Sequence, residues 1–113
     1  MTNSIQITKN SLVSFGTTEI KLPFYYVAGN YFKHYVAITA DRNLISFYRN
    51  GFSISIDTWK YDEDDNDSLA RRIEKDMCDE FYDPILESVF MHMFSEAHRE
   101  LFYQVNPNLK PIE

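Results

Sequence analysis

Two stretches of this 113-residue chain have residue types and spacings suited to holding an ion. The first is Asp62-Glu-Asp-Asp-Asn-Asp67, where carboxylates alternate as they do in calcium loops. The count fails: with Asp62 as position one, the sixth residue is Asp67 where the sharp turn needs glycine, and the twelfth is Ile73 where a bidentate glutamate belongs. The second is His92 with Glu96, one helical turn apart, which supplies two ligands and lacks a third.

Acid–base and nucleophilic chemistry find no better footing. Asp76 with Glu80 and Asp83 with Glu87 are spaced as carboxylate pairs, but they fall on a polar helix face or at a helix end, where nothing drives two pKa values apart. Glycine occurs only at positions 16, 29 and 51, so neither a phosphate-binding loop nor a nucleophile elbow can be built. His34 reads as an inward strand residue between Phe32 and Val36, and His98 as a ring packed on Phe94 or Phe102. The single Cys78 reads as a buried, inert thiol. Thus no catalytic residue, no cofactor and no metal site is expected, and binding is the function class that remains.

Charge placement says what kind of binding. Residues 1–56 hold five cations against two acids, whereas residues 57–83 hold eleven acids against four cations. Five of those acids, Asp62, Glu63, Asp64, Asp65 and Asp67, stand within six positions. A small basic excess beside so acidic a segment argues against direct binding of nucleic acid, whose phosphates the segment would repel. The same carboxylates would be drawn to a basic protein surface, including the groove of a nucleic-acid-handling protein. With Tyr31 and Tyr35 as aromatic anchors on an exposed sheet face, the expectation is a non-enzymatic inhibitor or adaptor, in the style of those encoded by phages and mobile elements. No apolar run approaches the roughly 20 residues that cross a bilayer, and Met1-Thr2-Asn3-Ser4 lacks a signal peptide's cationic start, so the expected location is the cytoplasm.

These residues must be positioned by a single α+β domain. Up to about Asp57 the chain alternates apolar and polar residues between turn signals, the pattern of an antiparallel meander of five to six strands. The strands are Ile5–Ile7, Leu12–Phe15, Glu19–Val27, Tyr31–Thr39, Leu44–Tyr48 and Phe52–Asp57. Turns are expected at Lys9-Asn10, Gly16-Thr17-Thr18, Gly29-Asn30, 40–43 and Asn50-Gly51. Pro23 should push the third run to an edge, bulge it, or split it. Such alternation implies one packed face and one wet face.

Residues 58–67 then form an acidic connector, 68–105 two helices on the packed face, and 106–113 an extended tail. Leu69, Ile73, Met77 and Phe81 recur every fourth residue in the first helix, capped by Asp67 or Ser68. Asp83-Pro84 reads as the cap and first-turn proline of the second, or as a kink in one continuous helix. At about 100° per residue, Val89, Phe90, Met93, Phe94, Ala97 and Leu101 make its core stripe, with Met91 and Phe102 well round to the side. The apolar arc is wider than one sheet requires. Either the first helix covers the surplus, or a second copy of the chain does, through Met91, Phe94 and Phe102.

Overall fold

The computed structural model describes residues 4–10, 15–50 and 53–105. The fold is α+β: an antiparallel sheet, a two-stranded hairpin, and helices supplied by the C-terminal half. The hairpin pairs β1 (Ser4–Asn10) with β2 (Phe15–Lys21). The main sheet comprises β3 (Phe24–Gly29), β4 (His34–Ile38), β5 (Asn43–Asn50), β6 (Ser53–Lys60) and β7 (Phe81–Pro84), in spatial order β6-β5-β4-β3-β7. Helices α1 (Asn66–Met77) and α2 (Glu87–Val105) complete it.

Proline acts twice, each time through its missing N–H. Pro23 splits the third run into β2 and β3, one of the three outcomes expected of it. Pro84 neither caps nor kinks a helix. It closes β7, which pairs with β3 (Val27 opposite Asp83, Tyr26 opposite Pro84) at the edge of the sheet, where a strand has one side without a ladder partner. The expected Lys9-Asn10 and Gly16–Thr18 turns lie instead inside the paired strands of the hairpin. Of the Leu12–Phe15 strand only Phe15 is described, and it opens β2. The tail and residues 51–52 of the last hairpin turn lie outside the described residues. Phe32 is exposed in the 30–33 loop, not inside β4, and Cys78 is exposed past the end of α1, not buried.

The two helices do not share a face of the sheet. Leu69, Ala70 and Ile73 of α1 pack with Tyr26, Ala28, Val36, Ile38 and Leu44, together with Ile5 and Ile20 of the hairpin. Phe90 and Ala97 of α2 pack with Ala37, Phe47 and Ile54, joined by Tyr25, Tyr35, Met93, Phe94 and Leu101. Register explains the division: Val36 pairs with Ser46 on one face, and Tyr35 with Phe47 and Phe47 with Ile56 on the other. Successive residues of β4 and β5 turn to opposite faces, but the face taken to be wet carries Tyr35 and Ala37 beneath α2. Each fully buried Ile, Leu or Phe contributes roughly 1.5–3 kcal/mol, so both layers are worth building.

Candidate functional site

The best-built polar site lies where the last turn of α1 crosses the α1 face of the sheet. Asp76 is only 3% exposed, and a buried carboxylate must be surrounded by donors. The Tyr26 hydroxyl of β3 donates to its Oδ2 at 2.5 Å, and Arg72 Nε, one helical turn earlier, donates to the same oxygen at 3.0 Å. His34 of β4 brings Nε2 to 3.4 Å from Oδ1. The contact stands at ion-pair distance and outside hydrogen-bond geometry, and Nε2 is a buried ring nitrogen with no hydrogen-bond partner among the described residues.

Burial by itself would raise the Asp76 carboxyl. The His34 imidazole, the Tyr26 hydroxyl and the Arg72 guanidinium together outweigh it and hold the group below the ordinary carboxylate range. Burial, followed by the adjacent carboxylate, pushes the Tyr26 hydroxyl far above the usual phenol value.

A cavity of about 490 Å³ opens beside this network, lined among others by Tyr31, Asp57, Lys75 and Asp79. Its rim is the 30–33 loop, which is tightly fixed. Asn30 Oδ1 accepts from the Glu80 N–H at 2.7 Å, and Lys33 Nζ sits 4.1 Å from the centre of the Phe81 ring. At Gly29 (φ +154°) a β-carbon would fall 1.9 Å from the Phe32 carbonyl oxygen, so only glycine allows the loop to fold back here.

The acidic stretch is more ordered than a connector. Strand β6 runs on to Lys60, a 3-10 turn occupies Glu63–Asp65 closed by Asp65 N–H to Asp62 C=O at 2.9 Å, and α1 starts at Asn66, which puts Asp67 and Ser68 inside the helix. Asp62, Glu63, Asp64, Asp65 and Asp67 are all exposed. Buried Arg42, at φ 64° in the β4–β5 turn, holds this corner: its Nε donates to Asn66 Oδ1 at 2.8 Å, and its carbonyl accepts from Tyr61 N–H at 3.0 Å. About 14 Å of helix axis separates these acids from Asp76.

Tyr31, at 95% exposure, projects from the 30–33 loop. Tyr35 is half-buried and stacked on Phe47 at 5.1 Å, and it meets Tyr31 in a second cavity, of about 540 Å³, between the sheet and α2. Phe94 is packed against Phe47 and Phe90, with His98 stacked on it at 6.2 Å, while Met91 and Phe102 are exposed. Because α1 lies on the far face, it does not cover them. The sequence reading missed two features. Trp59 is 65% exposed, three residues before the acids, on β6, an edge strand of the sheet. The grouping of His34 with Asp76 joins a strand to a helix and leaves no local spacing signal. Comparison with protein-family models, with curated proteins and with solved structures gave no match. No helix among the described residues is long and apolar enough to cross a membrane.

Proposed function

We propose that this is a non-enzymatic protein-binding module of the cytoplasm, an inhibitor or adaptor that engages a basic, nucleic-acid-handling protein through Asp62–Asp67. The observation that carries the reading is that five exposed carboxylates sit on an ordered 3-10 turn and helix start, pinned from below by Arg42. An ordered charge cluster loses less conformational entropy on binding than a solvated linker does, and its field steers a basic partner before contact. Trp59 supplies what carboxylates do not, a large aromatic anchor of the kind that dominates interface energy. Tyr31, on its own loop, is the second aromatic available to a partner.

The test is capture of the partner from native cells, followed by binding of a variant with Asp62, Asp64, Asp65 and Asp67 changed to Lys. Affinity should fall at least about tenfold, or 1.4 kcal/mol, with the salt dependence reduced or reversed. Unchanged affinity and unchanged salt dependence reject the reading.

A second reading, self-association through α2, is favoured by the exposure of Met91 and Phe102, at 50% and 48%, on one side of the helix. Its occupant is a second copy of this chain. A mass in solution that stays monomeric as concentration rises removes it.

A further inference from the structure

We infer that His34, Asp76 and Asp79 form a binding site for a divalent transition-metal ion of the zinc type. One nitrogen and two carboxylate oxygens, one from each residue, lie within 4.8 Å of one another. Two ligand atoms, each about 2.0–2.1 Å from a tetrahedral ion, stand roughly 3.3 Å apart. His34 Nε2 and Asp76 Oδ1 are separated by 3.4 Å, a ligand-to-ligand spacing that is not a hydrogen bond. Asp76 Oδ1 meets the buried imidazole nitrogen only at ion-pair distance and outside hydrogen-bond geometry, which repays little of the hydration that the nitrogen has lost. A metal ion accepts that nitrogen's lone pair.

The surroundings are those of a held ligand. Tyr26 and Arg72 both donate to Asp76 Oδ2, so Oδ1 is the oxygen turned to His34, and outer partners of this kind orient a ligating carboxylate. Asp79 stands just past the end of α1, half-buried on the wall of the same cavity. One imidazole with two carboxylates suits zinc better than calcium or magnesium, which take oxygen donors. Asp57, Asp76 and Asp79 outnumber Arg72 and Lys75 on the cavity wall, which favours a cation there. The adjoining cavity of about 490 Å³ provides room for a water molecule or an exogenous ligand at an open fourth position.

The site is independent of the acidic corner, so its test does not need the protein partner. Chelator-treated full-length protein is titrated with Zn²⁺ by calorimetry, and Co²⁺ is added separately to read the visible spectrum of a four-coordinate ion. One saturable equivalent and a rise in thermal midpoint are expected, with His34→Ala and Asp79→Asn each weakening binding by tenfold or more. Asp79→Asn changes a half-buried residue outside the regular helix, and its metal-free thermal midpoint verifies that it folds. His92→Ala, which disrupts the exposed pair with Glu96, should bind as wild type does. No saturable Zn²⁺ binding, binding that survives both His34→Ala and Asp79→Asn, or binding lost in His92→Ala overturns the assignment.

Discussion

Tyr26 and Asp76, 50 positions apart, meet in a 2.5 Å hydrogen bond that ties β3 to the last turn of α1. Removing only the hydroxyl leaves Asp76 Oδ2 with one donor, Arg72, among the described residues. Tyr26→Phe should therefore cost about 1–3 kcal/mol in chemical denaturation, the penalty of an under-satisfied buried acceptor. A change below about 0.5 kcal/mol would mean that the carboxylate turns to solvent, and that the site is looser than its burial indicates.

The same pair contributes to both ends of the pH–stability curve. The folded-state pKa of Asp76 is depressed below its ordinary 3.8, so in acid the unfolded chain binds the extra proton. Its contribution is complete above that value and is lost as pH falls through the lower folded value. The pKa of Tyr26 is raised above 10.0, so its contribution is complete below pH 10.0 and is lost as pH climbs beyond it. Urea midpoints measured against pH should show Asp76→Asn flattening the acid limb and Tyr26→Phe flattening the alkaline limb. Identical limbs in wild type and variants would assign the pH dependence to other groups.

Gly29→Ala is expected to be among the most damaging single-methyl changes in the chain. The added carbon would meet backbone, the Phe32 carbonyl at 1.9 Å, and backbone cannot rotate away as a side-chain tip can. A loss of about 2–3 kcal/mol is expected, with increased protease cleavage within residues 30–33 as the loop is forced open. Wild-type stability with an unchanged cleavage pattern would contradict the tight return at Gly29.

How much of this could be read from the chain follows from how local each signal is. The α+β order, the strand alternation and the amphipathic stripe Leu69–Ile73 are carried by neighbouring residues, and they were legible. Which face of the sheet a strand shows to which helix is not local. Val36 and Ile56 both read as inward, and both are packed, but register turns them to opposite sides. Tyr35 and Ala37 lack the apolar signature that would have marked their face as covered. Asp83-Pro84 has the composition of a helix start, and only its pairing with β3 makes it a strand. The polar site was the least legible part, because His34 and Asp76 carry no spacing rule and Asp76 had the sequence context of a solvent-facing acid. The acidic stretch was legible as charge, whereas its order depends on Arg42 reaching Asn66 from another turn.

The division of the core into two layers makes a quantitative prediction about coupling. Ile73 belongs to the layer beneath α1 and Phe90 to the layer beneath α2, with the sheet between them and no shared packing partner in either cluster. Ile73→Val should cost about 0.5–1.5 kcal/mol and Phe90→Leu a similar or larger amount, each measured by urea denaturation at constant m-value. Sites separated in this way add within about 0.3–0.5 kcal/mol, whereas residues sharing one core couple by 0.5–3 kcal/mol. The double variant should therefore equal the sum of the singles. A coupling energy well outside that range would place both helices on one face and overturn the two-layer arrangement, because only residues that relax into the same space sense each other's missing methyl groups.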